Sequence, residues 1–311
     1  MKRFILKTLL LLLPVIIIGV SMECLLRHIP NDYIYKKNYL DKHAGEIQLL
    51  ILGSSETYFG INPDYFSQNT FNAAHVSQTL DWSYAIFSKY QENFDHLKAI
   101  IIPITYHTLW GKLETSVEAW RIKNYAIYYG IKTKSWMDKS EILNGKLGIN
   151  TQRLFNYYVE KKDAIYWSKL GWGTAYQSEN ENDLEESGKE RALSHTFDIH
   201  SKDKIKIFED NLKILNSFAE FCNRQNVKLI FLTVPTYSSY RENLNKEQLN
   251  KMTAVITGFT KEHANCLYIN WHENPDFTAE DFHDADHLDG KGAKKLSEKL
   301  ILSMDSLQIF K

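Results

Sequence analysis

Glu46-Ile-Gln-Leu-Leu-Ile-Leu-Gly-Ser-Ser55 is a short apolar run that ends in a glycine and two serines. A run of this length, bounded by a turn signal, predicts a buried strand that delivers Ser54 and Ser55 to its tip. Three further runs repeat the pattern: Lys98–Ile104 (KAIIIPI), Val227–Val234 (VKLIFLTV) and Cys266–Trp271. A shorter strand is predicted at 70–72. Pro103 sits at the end of its run, where the ladder no longer needs a backbone N–H. Apolar residues at helical spacing follow through Leu80, Tyr84 and Phe87, then across 205–223 and 291–304, and Asn245 with Gln248 opens a helix through Val255 and Phe259. Strands alternating with helices predict one α/β domain with a flavodoxin-like parallel sheet of about five strands and helices on both faces. Ligands of such sheets bind at the carboxyl ends of the strands. Gly53-Ser54-Ser55, Asn72 and the 272–288 loop all follow strands, so all are expected at that edge.

At the amino terminus Lys2, Arg3 and Lys7 precede an apolar run, Thr8–Leu26, in which Glu23 is the single charge. About 20 apolar residues cross a bilayer, whereas the apolar core of a signal peptide is shorter, roughly 7–15. The basic leading side predicts a cytoplasmic start, with residues 30–311 beyond the cytoplasmic membrane, facing the periplasm or exterior. A cleaved signal peptide, with Gly19 and Ser21 as the small residues, is the alternative, and both readings export the rest of the chain. The expected organisation is an anchor over 1–28, a stalk over 29–45 and a catalytic domain over 46–311. That domain carries a Trp- and Tyr-rich helical insertion at about 109–200, and the charged stretch Ser178–Lys189 reads as a solvated loop.

Across 311 residues, 37 Lys and Arg against 38 Asp and Glu leave a formal charge of -1, which excludes the overall basic field of a nucleic-acid binder. Cys24 lies in the apolar run, so Cys222 and Cys266 are the only pair that could form a disulfide. Each precedes a buried strand and reads as an unpaired small hydrophobe.

A hydrolytic serine needs a base, a carboxylate to orient the base, and donors for the oxyanion. Ser55 stands on a strand-to-helix turn where its own N–H is a natural oxyanion donor, and Asp284-Ala-Asp-His287 sets a carboxylate three residues before an imidazole. Either signal alone is commonplace. Their joint placement, after the first strand and before the last helix, is what makes them informative. Such chemistry calls for no cofactor and no metal. A metal reading of His283-Asp-Ala-Asp-His287 stands beside it, since two histidines four apart on a helix can bind zinc.

Ile51-Leu-Gly-Ser-Ser-Glu-Thr57 resembles the first block of the SGNH (GDSL-type) hydrolases, and Asp284-Ala-Asp-His-Leu-Asp-Gly-Lys-Gly-Ala293 resembles their last. Between them Phe71-Asn-Ala-Ala-His-Val-Ser-Gln78 is similar to the segment that supplies an oxyanion donor in that family. The resemblance covers 46–107 and 203–304. It implies a serine esterase or acyltransferase with Ser55 as nucleophile and Asp284 and His287 as its activating dyad. Asn72 or the Ala74 backbone would serve as further oxyanion donors. By position along the chain rather than by the resemblance, His75 and His107 fall near the same edge, as substrate contacts or as structural histidines, and Arg241 follows the fourth strand, as a rim residue for an anionic group or sugar or as a solvated loop arginine. The Gly-Ser-Ser start is shared with the membrane-anchored branch resembling DltD and AlgJ/AlgX-like proteins, which move acetyl or alanyl groups on envelope polymers. The implied partners are an envelope glycan or other acylated carbohydrate, the membrane, and a multispanning acyltransferase. Ser54 replaces the family's aspartate, Ala74 stands near its glycine, and Pro103-Ile-Thr-Tyr-His107 stands where Gly-x-Asn-Asp is expected. These departures leave room for a noncatalytic glycan-binding or assembly module, in which Ser55 would lie beyond hydrogen-bond reach of His287.

Overall fold

The computed structural model describes residues 1–177 and 183–310. In chain order they form α1 (Lys2–His28), α2 (Asp32–His43), β1 (Leu49–Ile51), α3 (Ser55–Gly60), β2 (Thr70–Asn72), α4 (Leu80–Tyr90), β3 (Ala99–Pro103), α5 (Ile122–Asn124) and α6 (Leu147–Leu154). Then follow α7 (Leu184–His195), α8 (Lys202–Gln225), β4 (Lys228–Thr233), α9 (Ser238–Glu242), α10 (Lys246–Glu262), β5 (Cys266–Asn270), β6 (Phe282–Asp284), β7 (His287–Leu288) and α11 (Gly290–Ser306).

The chain divides into two compact units, Met1–Asn38 with Glu114–Tyr166, and Tyr39–Leu113 with Trp167–Lys311. The larger unit holds a five-stranded parallel sheet in the order β2-β1-β3-β4-β5, the flavodoxin-like arrangement expected from the sequence. β1, β2 and β3 are buried at every position, which is why they read as unbroken apolar runs rather than alternating ones. Side chains alternate between the two faces. Leu49, Ile51, Ile101 and Ile230 share one cluster with Leu296, Leu300 and Met304 of α11. On the other face Phe231 meets Phe259 of α10, and Phe87 of α4 meets Phe218 of α8, both in ring contact. Each fully buried side chain of this kind contributes about 1.5–3 kcal/mol. Because β1 runs to β2 on one side while β3 lies on the other, a crevice opens at the carboxyl ends of β1 and β3.

Helix ends follow their side chains. Asn245 Oδ1 accepts from Gln248 N at 3.1 Å and opens α10, as its sequence suggests. The Gln248 side chain, however, does not return to the cap. Its amide donates to the carbonyls of Tyr106 and His195 and locks the loop after β3 to the end of α7. Cys222 and Cys266 are both free and buried.

The charged stretch read as a loop over 178–189 is corrected from Leu184 onward, where α7 begins; residues 178–182 lie outside the described residues. Asp183 caps α7 through the N–H groups of Glu185 and Glu186, at 2.8 and 3.1 Å. The helix docks through small residues, since Gly188 and Ala192 are the ones buried, so no apolar stripe announces it. In the smaller unit, irregular turns dominate around the π turns Tyr125–Tyr129 and Phe155–Val159. Its interior joins buried aromatics, Tyr33, Tyr125 and Tyr129, to an ionic cluster. Lys123 and Glu141 are fully buried and paired, and Arg153 reaches the same carboxylate at 2.9 Å. The Glu23 carboxylate, the one charge of the apolar run, accepts from Ser140 Oγ at 2.7 Å and from Glu141 N at 3.0 Å.

Candidate active site

The turn after β1 is built so that Ser55, not Ser54, presents its hydroxyl. Gly53 has φ of 119°, open only to glycine without strain, and a Cβ there would collide with the Pro103 ring at the end of β3. Gly53 C=O accepts from His75 N at 3.1 Å, and Thr57 Oγ1 donates to Leu52 C=O at 2.9 Å. Ser54 precedes α3 and its hydroxyl is spent on the Glu56 carboxylate. Ser55, first residue of α3 and half-buried, places its Oγ 2.7 Å from His287 Nε2. Its N–H lies in the first helical turn, where backbone N–H groups lack intrahelical acceptors.

Asp284 and His287 are register partners across the β6/β7 hairpin. His287 Nδ1 lies 2.8 Å from Asp284 Oδ1 and 3.0 Å from Oδ2. Asp284 Oδ1 also accepts from His287 N at 2.9 Å and Asp286 N at 3.2 Å, so the turn that carries the carboxylate is tied down by it. In the neutral ring, with Nδ1–H committed to Asp284, Nε2 carries the lone pair that faces Ser55. Burial would push the Asp284 carboxyl up, but His287 and Arg191 hold it far below the usual carboxylate range. Burial would likewise lower the His287 imidazole, and the flanking Asp286 and Asp284 charges raise it well above its ordinary value.

Aromatic rings wall this base from water. Tyr176 stacks between Phe59 at 4.0 Å and His283 at 3.8 Å and turns its edge to His287 at 5.5 Å. The turn that carries Tyr176 follows Trp172, whose Nε1 donates to Phe59 C=O at 2.6 Å.

Several residues of the site carried no signal in the sequence. Arg191 of α7 reaches Asp284 at 3.2 Å and Asp286 at 3.4 Å. His195, one turn on, binds Tyr240 OH at 2.9 Å and stacks on His107 at 4.1 Å. Glu56 is 6% exposed yet keeps its carboxyl below the ordinary value, because the His107 and His287 charges outweigh its burial.

The remaining expected site residues separate into those that hold the loops and one, His107, at the site. Both Asn72 amide hydrogens go to carbonyls, Thr57 O at 2.8 Å and Ile61 O at 3.0 Å, and Asn72 Oδ1 accepts from Ala74 N at 3.1 Å. Asn72 and Ala74 therefore hold the loop rather than offer oxyanion donors. His75 is fully buried beneath the Gly53 turn, away from a substrate rim. Arg241 donates to Thr236 C=O five residues back, closing the loop after β4. His107 lies beside Glu56 at 3.7 Å and remains partly exposed, so it is the expected rim residue that does reach the site. The helical histidine pair of the metal reading does not form, because Phe282–Asp284 and His287–Leu288 are strands. Asp284, Asp286 and His287 do bring ligand-type atoms within 4.8 Å of one another. But the two ring nitrogens of His287 are engaged by Asp284 and Ser55, and the Arg191 guanidinium already supplies the cation between the two carboxyls.

No family model and no curated protein matches the chain. Among solved structures it is similar to a Bacteroides fragilis protein described as a candidate acylhydrolase. That likeness has a TM-score of 0.41 and 11% identity, over 90% of this chain and 100% of the other. It is also similar to a GDSL-like lipase from Bacteroides thetaiotaomicron, with a TM-score of 0.41 and 12% identity, over 88% and 99%.

Proposed function

We propose that the chain is an exported, membrane-anchored serine esterase or O-acyltransferase of the SGNH type, acting on acyl esters, chiefly acetyl, of envelope polysaccharide. The observation that carries the reading is the unbroken chain Ser55 Oγ to His287 Nε2 at 2.7 Å and His287 Nδ1 to Asp284 Oδ1 at 2.8 Å. A noncatalytic module has no need of that alignment.

Ser55 Oγ attacks the acyl carbonyl carbon while His287 Nε2 takes its proton, and Asp284 holds Nδ1–H and the imidazolium that forms. The Ser55 N–H faces the oxyanion. Collapse breaks the ester C–O bond, and His287 returns the proton to the departing sugar oxygen, leaving an acyl-serine. Water, or a hydroxyl of a second sugar, then attacks that acyl carbon with His287 again as base; the bond to Ser55 Oγ breaks, and His287 returns the proton to Ser55 Oγ. The two acceptors distinguish hydrolysis from transfer and use the same residues. In the transfer case a multispanning acyltransferase is the natural partner, handing acyl groups across the membrane to Ser55. The anchor is supported by Leu10–His28, a segment of mean hydropathy 2.1 that is almost wholly exposed, and by the basic residues ahead of it.

A fluorophosphonate probe applied to the full-length chain in detergent tests this reading. The expected result is a covalent adduct on the Ser55 peptide, insensitive to chelators. Turnover that chelators abolish, with Ser55 unlabelled, would replace it with the metal reading.

A further inference from the structure

We propose that Asp286 is a second positioning acid of this site: set beside the ring nitrogen that Asp284 holds, it supplies part of the negative charge against which His287 becomes imidazolium, and so sets the basicity of His287. The effect on turnover rests on the serine-hydrolase reading above; the effect on His287 itself rests on geometry.

Asp286 Oδ1 lies 3.4 Å from His287 Nδ1, against 2.8 Å for Asp284 Oδ1. One N–H donates well to one carboxylate, so Asp284 takes the hydrogen bond and Asp286 Oδ1 is left with no hydrogen-bond partner. The residue is 4% exposed. Buried polar atoms are ordinarily satisfied, and an exception beside a catalytic base calls for a reason. The surroundings supply one. Arg191, from α7, spreads its guanidinium over both acids, at 3.2 Å from Asp284 Oδ2 and 3.4 Å from Asp286 Oδ1. That cation weakens Asp284 as a counter-ion for the imidazolium, and a second carboxyl at Nδ1 restores the field.

The other groups facing Asp286 are few. His195, also on α7, lies 3.8 Å from Oδ2, with His107 stacked behind it and Tyr240 of α9 bound to it. Glu56 of α3, Tyr106 after β3 and His272 after β5 line, with Asp286, one small cavity of about 10 Å³. Burial of Glu56, Tyr106, His272 and Asp286 keeps these interactions strong. Burial raises the Asp286 carboxyl above its ordinary value while Asp284 is held down, so the two acids share charge unequally. Asp286 gains its charge most readily when His287 carries a proton, which is when the reaction needs it.

The test reads His287 directly. Ring-carbon NMR titration of the histidine-labelled full-length chain, with the His287 signal assigned by its loss in His287→Gln, is run on the wild type, Asp286→Asn and Arg191→Gln. Asp286→Asn is expected to lower the proton affinity of His287 at least about tenfold, one pH unit, and Arg191→Gln to raise it. The acid limb of the kcat/KM profile should move in the same directions, a readout that loss of packing alone would not produce. A folded Asp286→Asn whose His287 midpoint stays within about 0.3 unit of wild type overturns the proposal. If that variant does not fold, an Arg191→Gln midpoint that fails to rise does so. Shifted midpoints in a protein without esterase turnover would uphold Asp286 and reject the hydrolase reading.

Discussion

Ser55 Oγ and His287 Nε2 lie 2.7 Å apart although 232 positions separate them in the chain. The sheet brings them together. Ser55 leaves the carboxyl end of β1, and the β6/β7 hairpin returns to that edge immediately before α11, which packs on α3 and β1. Nucleophile and base are thus mounted on elements that share one core cluster.

Asp284→Asn should leave the fold intact and reduce kcat by about 10³–10⁴, with KM little changed, because an amide at this position favours the wrong imidazole tautomer. Steady-state kinetics on a soluble acyl ester measures it. A loss below tenfold would mean that Asp284 does not orient His287.

Gly188→Ala should disturb the site without touching a catalytic group. A Cβ on Gly188 would stand 2.7 Å from the backbone carbon of Ser239, so α7 must shift off α9 and carry Arg191 with it. The cost is about 1–3 kcal/mol, read as a lower melting temperature together with reduced kcat/KM. An unchanged melting curve would contradict the packing described.

How far the sequence reveals this site depends on what holds each piece. The strands are legible because they are buried on both faces and so are apolar throughout, and Ser55, Asp284 and His287 are legible because they sit at fixed places beside them. Arg191 and His195 are not. Their helix is charged along its length and docks through Gly188 and Ala192, which leave no periodic stripe. Asp286 stood in plain view within Asp284-Ala-Asp-His287, but only the hairpin register separates the acid that bonds the ring from the one that lies beside it. The smaller unit is opaque for a related reason: among its buried tyrosines it holds the Lys123–Glu141 pair, and charged residues ordinarily mark a surface.

Glu141 predicts an acid-labile smaller unit. Burial alone would raise its carboxyl, but Arg153 and Lys123 hold it down at about 2 against an ordinary value of 4.5. A depressed carboxylate contributes stability that is fully present above its unfolded value and is lost as pH falls from 4.5 toward 2, here roughly 3 kcal/mol. Glu141→Gln should therefore flatten the loss of stability with acid. At neutral pH it should cost about 3–5 kcal/mol by stranding the Lys123 ammonium. Denaturant unfolding followed across that pH range checks both, and an unchanged pH dependence would show that folding leaves the proton affinity of Glu141 where it stands in the unfolded chain.

The most direct test of the central claim is ester turnover by the full-length chain and its Ser55→Ala variant, measured as kcat/KM on p-nitrophenyl acetate with the fold verified by circular dichroism. An acyl-serine mechanism predicts a fall of about 10³ or more. Turnover by a folded Ser55→Ala variant within about threefold of wild type would contradict it.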